Sequence, residues 1–171
     1  GPWSELESNN TDDAFCYLNN NANGEADIFG ALYTWAAAMG DDAVSSSSIP
    51  SGVQGICPDG WHLPSLAEWE QLINYLEGAD YAGGKLKEIG TQHWNSPNTG
   101  ATNESGFTAL PGNYMNGSGF GLAGRNGHFW SSTQGSSNYY ARMLNLSYSQ
   151  IEAYLGDYYK NYGRSVRCLR N

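Results

Sequence analysis

The chain reads as an α+β domain: helices first, then a small antiparallel sheet, joined by long irregular loops. Three observations carry that reading. A capped amphipathic helix stands in the first half, short β-prone segments crowd the second, and 22 glycines punctuate the whole. Segregation of this kind argues for antiparallel strands, because parallel βαβ units would alternate the two element types along the chain. At 171 residues the sequence suits one domain, since a split would leave each half short of a self-sufficient core. The expected layout is two helices packed on a small twisted sheet.

The elements follow in order. From Trp3 to Gly24 the sequence is polar and Asn-rich, which predicts a loop. Asn19, Asn21, Asn23 and Gly24 resemble the opening of an EF-hand calcium loop, but that register puts Gly30 where a bidentate Glu is required, so turn chemistry explains the run better. Ala31 to Met39 has high helix propensity and stops at Gly40, which predicts the first helix. Asp41 to Gly55 carries five serines and Pro50 and reads as a surface loop. The second helix is the best defined. Ser65 and Glu68 form a capping box, and Leu66, Trp69, Leu72, Ile73 and Leu76 recur at helical spacing up to Gly78. Glu68, Glu70 and Glu77 lie off this stripe and are expected on a solvated face. Beyond Tyr81, glycine turns separate five segments that suit strands: Phe107 to Leu110, His128 to Ser132, Tyr139 to Leu146, Ser149 to Leu155 and Ser165 to Leu169.

Charge narrows the function classes. Eight Lys+Arg against 17 Asp+Glu give a net −9, which opposes nucleic acid and anionic membrane as partners. No apolar run is long enough to insert in a bilayer. Gly1-Pro2 has the form of a cleaved tag scar, so residues 1–14 are read as a tag remnant plus an extension, residues 15–171 as the domain, and any export signal or anchor as lost upstream. Cys16, Cys57 and Cys168 form no C-x-x-C; if Cys168 is oxidised its partner is Cys16 or Cys57.

Catalytic signatures are missing. His62, His93 and His128 have no zinc-motif spacing, and nucleophile-elbow, phosphate-loop and dinucleotide patterns do not occur. His128 and Ser132 share a strand face merely by the two-residue period, which is no sign of a nucleophile and its base. No enzyme activity and no cofactor are expected. Trp61, Trp69, Trp94 and Trp130 read as core anchors for a small glycine-rich domain.

Several blocks are distinctive in order: Gly60-Trp61-His62-Leu63-Pro64-Ser65 with Glu68-Trp69, Gly83-Gly84-Lys85-Leu86-Lys87-Glu88, His93 through Gly112, Phe129-Trp130-Ser131-Ser132-Thr133, and Ser165-Val166-Arg167-Cys168. From about Phe15 onward they closely resemble the Fibrobacter succinogenes major paralogous domain family. The resemblance implies a secreted or surface-attached bacterial domain with a fold akin to C-type lectins and formylglycine-generating enzymes, without a known reaction.

Seven of the twelve tyrosines fall in the last third: Tyr139, Tyr140, Tyr148, Tyr154, Tyr158, Tyr159 and Tyr162. Tyrosine among Ser, Asn and Asp is the vocabulary of recognition surfaces, since its ring offers large contact area at low entropic cost. These residues, with Arg142, Asn145, Asp157 and Lys160, are expected to form one exposed face that binds a protein or glycan on a cell or host surface. Relatives in the resembled group are targets of diversity-generating retroelements, which turn Asn codons into Tyr, Ser and Asp, and the residue mix fits that pattern. A structural domain of a surface protein is the competing reading.

Overall fold

A computed structural model describes residues 13–40 and 44–171. Its elements are β1 (Phe15–Tyr17), α1 (Glu25–Phe29), β2 (Ala31–Tyr33), α2 (Trp35–Met39), β3 (Trp61–His62), α3 (Leu66–Tyr75), α4 (Ala79–Leu86), β4 (Met115–Asn116), β5 (Gly119–Phe120), β6 (Asn126–Gln134), β7 (Tyr140–Ser147), β8 (Ala153–Tyr159) and β9 (Leu169–Arg170). The class is α+β, and every named strand pair is antiparallel. No helix among the described residues is long and apolar enough to cross a membrane.

The centre is the three-stranded sheet β6-β7-β8, with short pairs β1-β2, β3-β9 and β4-β5 around it. Both faces of the centre are covered, which follows from strand alternation. Phe129, Leu144, Leu146 and Ala153 bury one face against Trp69, Ile73 and Leu76 of the α3 region and Ala82 and Leu86 of α4. Trp130, Ala141 and Met143 bury the other against Trp35, Ala38, Met39, Val53 and Leu63. Three indole N–H groups tie these layers through backbone carbonyls, from Trp35 to Ser131 at 2.7 Å, Trp130 to Tyr33 at 2.8 Å and Trp94 to Ala109 at 2.9 Å. Trp61, by contrast, is half open to solvent rather than an anchor, because β3 runs at the surface beside β9.

α3 begins at the expected capping box and buries Trp69 and Ile73, with Leu76 buried at its C-cap and Leu72 half-buried beside them. Glu68 corrects the solvated-face expectation. Its carboxylate is buried, accepting from the N–H groups of Ser51 and Ser65 at 3.1 and 2.9 Å and meeting His62 Nε2 at 2.8 Å. The other ring nitrogen of His62 lies 2.6 Å from Asn171 Oδ1, so the start of α3, β3 and the C-terminus share one polar knot. Glu70 and Glu77 are exposed as expected.

Other expectations need revision. Ala31 to Met39 is not one helix: Ala31–Tyr33 pairs with Phe15–Tyr17, and only Trp35–Met39, capped by the Thr34 side chain, is helical. The predicted N-terminal loop is therefore strand at Phe15–Tyr17, while Trp3 to Asp12 lie outside the described residues. Phe107 to Leu110 makes a single bridge, Ala109 to Lys87, rather than a strand. Of Ser165 to Leu169, only Leu169 enters a strand, and Ser165 bridges Phe129. The strand expected from Ser149 runs from Ala153 to Tyr159 instead.

The helix α4 was not expected, because it contains Gly83-Gly84. A Cβ at Gly83 would collide with the backbone of Ile151 and Glu152, and the Gly84 N–H donates to the Ile151 carbonyl at 2.8 Å. Glycine lets the helix backbone touch the β7–β8 turn. Lys87, just beyond, is fully buried and donates to the carbonyls of Thr99, Ser147 and Gln150 at 2.9, 2.8 and 2.7 Å. Burial lowers its pKa to about 8. Cys57 and Cys168 form a disulfide across 111 positions, leaving Cys16 as the free thiol, which burial pushes up to about 11.

Candidate functional site

The C-terminal tyrosines divide between the two ends of the central sheet. The register pairs Tyr140 with Tyr159 near the β6–β7 loop and Asn145 with Tyr154 near the β7–β8 turn. Strand alternation places Tyr158 on the face opposite Tyr159. They therefore do not make the single face expected from sequence.

At the first end the rings form a chain. Tyr140 and Tyr159 have centroids 4.8 Å apart, Tyr159 and Tyr162 5.6 Å, and Tyr162 stacks on Tyr114 at 6.1 Å. Tyr139 and Tyr159 are exposed at 57% and 44%, whereas Tyr140, Tyr158 and Tyr162 are half-buried. Beneath them lies Arg164, 2% exposed, with its guanidinium 4.9 Å from the Tyr114 ring, 5.0 Å from Tyr158 and 5.4 Å from Tyr162. Its Nη1 donates to His128 Nδ1 at 2.7 Å. Guanidinium cannot accept, so the His128 proton sits on Nε2 and the ring is neutral. Burial first, then the Arg164 charge, hold the His128 pKa well below the usual histidine range. Burial also lowers the Arg164 pKa to about 10, with the three tyrosines opposing. The ring chain thus rests on a buried cation held by ring faces, an attraction that desolvation strengthens.

Polar residues of the predicted set behave differently from one another. Arg142 and Asp157 pair at 3.2 Å, and the Ser136 N–H donates to Asp157 at 2.9 Å, which ties the β6–β7 loop to β8. Asn145 is half-buried between the neighbours of its register, His128 and Tyr154. Lys160 was expected on the surface and is 1% exposed, its ammonium 4.1 Å from the Trp35 ring centre and 3.1 Å from Gln134 Oε1. The chain turns inward after β8, and a long apolar stem with an aromatic platform makes that burial tolerable.

At the second end Tyr148 packs against the main core and lies under Arg125 at 5.8 Å, while Tyr154 is 58% exposed. An open groove of about 390 Å³ lies here between α3 and β8, lined by Glu70, Ile73, Asn74, Ala79 and Ala153 to Leu155. Among the described residues no group of three or more His, Cys, Asp or Glu side chains is placed to hold a metal.

Sequence reasoning missed Tyr114, His128 and Arg164 as the base of the ring chain. Tyr114 stands in a glycine-rich stretch distant in sequence, and the Met115 to Gly163 bridge brings the two segments together. The family model described as the Fibrobacter succinogenes major domain matches residues 2–170. No curated protein and no solved structure matches the chain.

Proposed function

Since the chain belongs to the Fibrobacter succinogenes major domain family, we propose that it is the ligand-binding domain of a bacterial surface adhesin with a C-type-lectin-like fold, and that it acts by display rather than catalysis. The observation that carries this reading is the ring chain Tyr140, Tyr159, Tyr162 and Tyr114 at the rim of a sheet whose centre is packed on both faces. Rigid aromatic rings that keep a polar tip in water suit both sugars and proteins. The ligand is a protein or glycan on a cell or host surface, and the domain works outside the cell.

The pattern of burial also supports retroelement diversification. Ala141, Met143, Leu144 and Leu146 are buried scaffold, while Tyr139, Tyr154 and Tyr159 project outward, so the outward positions can vary without loss of the fold. A reverse transcriptase gene with a near-repeat of the 3′ coding sequence beside this gene tests that part. A second reading, a structural domain with no ligand of its own, draws on the packing of Tyr148 and Tyr158 against the two cores. Arrays of purified surface proteins and glycans probed with the labelled domain separate the two. Saturable spots lost on a Tyr139→Ser/Tyr159→Ser/Tyr162→Ser variant support display, and a blank array supports the structural reading.

A further inference from the structure

The outer side of β8 from Leu155 onward is an open strand edge. The Lys160 N–H donates to the Tyr139 carbonyl at 3.0 Å, which makes those two residues a hydrogen-bonded pair. Stepping back by two along the register, Tyr158, Gly156 and Tyr154 bond to Ala141, Met143 and Asn145. Ala153, Leu155 and Asp157 therefore turn their N–H and C=O groups away from β7. The Ile151 carbonyl, next on that side, is taken by Gly84, and the Tyr159 carbonyl by Tyr162. Among the described residues nothing bonds to the backbone groups between them.

Natural sheets protect such edges with proline, lysine, bulges or very short strands. At the start of β8 the helix α4 packs against the buried Ala153, but from Leu155 on the strand uses none of these: Ala153–Tyr159 contains neither residue type and pairs with β7 over seven consecutive positions without a register shift. Its one charge, Asp157, is engaged by Arg142 and Ser136. The opposite edge of the sheet is handled differently, since Ser165 bridges Phe129 on β6. Beside the open edge lies the groove of about 390 Å³ floored by Ile73 and Ala153 and rimmed by Glu70 and Asn74. Glu70 and Glu152 are both exposed.

We propose that β8 is a strand-addition site for an extended, basic polypeptide segment, whose backbone pairs with Leu155 and Asp157 and whose alternate side chains enter the groove. Main-chain bonds give such a complex its affinity and side pockets its selectivity. The acidic rim selects the charge. It also disfavours a second copy of this chain, because edge-to-edge pairing would bring together two rims on molecules of net charge −9. The inference shares with the display reading only the premise that the C-terminal region is a binding surface.

The test uses the labelled heptapeptide acetyl-Lys-Val-Lys-Val-Lys-Val-Lys-amide and its alternately N-methylated twin, which keeps the charge but loses the donors needed for pairing. Anisotropy titration is expected to show saturable binding of the first and at least about tenfold weaker binding of the second. Amide hydrogen exchange should slow by about tenfold at Leu155 and Asp157 in the peptide-bound domain, and Glu70→Gln should weaken binding without altering the melting temperature. Equal binding of the two peptides, protection elsewhere, no saturable binding, or sedimentation showing a dimer paired through β8 would each overturn the proposal. The Tyr139→Ser/Tyr162→Ser variant, which leaves β8 unaltered, should bind the peptide as the parent does, so failure of ring-mediated display leaves this result unchanged and the reverse also holds.

Discussion

Removing the Cys57–Cys168 bridge should cost more than any surface change. The bridge closes a loop across 111 positions. In the chain-entropy account, a closure of that length withdraws about 5 kcal/mol of freedom from the unfolded chain. Cys57 is buried beside Trp35, Met39 and Leu63, and Cys168 packs on the same cluster, so a Cys57→Ala/Cys168→Ala variant also loses sulfur contacts. For a chain of this size each kcal/mol moves the melting temperature by about 2–4 °C, which places the expected drop at roughly 10–20 °C. Calorimetry of the parent, the double variant and the parent after full reduction measures it, and the reduced parent isolates the entropic part because it keeps both sulfur atoms. Cys16→Ser serves as the control, since that thiol closes no loop. A drop below about 3 °C in both altered proteins would refute the reasoning, as would labelling that finds three free thiols in protein isolated without reductant.

Two further perturbations probe the scaffold. Lys87→Met keeps the volume but removes the donor that three partly buried carbonyls share, so it should destabilise by about 1–3 kcal/mol in a denaturant titration, although it removes a buried charge. Stability should also fall on mild acidification. The unfolded chain takes up a proton at His128 near its ordinary value of about 6.5, whereas the folded chain resists until far lower pH, so between those limits the unfolded state binds more protons and gains on the folded one. Melting curves from pH 7 to pH 5 should show the decline, and His128→Gln, whose amide oxygen can still accept from Arg164, should flatten it.

Elements whose local and tertiary signals agree were legible. Ser65, Glu68 and the stripe through Leu76 predict α3 because capping and burial point the same way. The strand expected at Tyr139 to Leu146 was readable too and is β7, though not which of its partners would cover each face. Ala31 to Met39 misled because alanine-rich propensity is weak against a strand partner that arrives from Phe15–Tyr17. α4 escaped notice because Gly83-Gly84 lowers helix propensity for the sake of a close approach that only tertiary structure reveals. Glu68 lies off the apolar stripe, and its burial depends on His62 and Ser51, neither of which the helix pattern contains. Of the site, composition marked the tyrosines but could not divide them between the two ends of the sheet. It also could not place Lys160 under Trp35 or Arg164 under the rings, because a long cationic side chain reads as surface until a neighbouring aromatic face is known.

The claim that the ring chain binds while the sheet beneath it merely supports is tested most directly by one paired measurement. The Tyr139→Ser/Tyr159→Ser/Tyr162→Ser variant and the parent are compared for melting temperature and for binding to intact bacterial and host cells by flow cytometry. Tyr139 and Tyr159 are exposed and should cost about half a kcal/mol each, and Tyr162, half-buried against Tyr114 and Arg164, about 1–2 kcal/mol, so the three changes should together lower the melting temperature by about 4–12 °C and leave the domain folded at room temperature, while cell binding is lost. A variant that unfolds, or one that binds cells as well as the parent, would contradict the account.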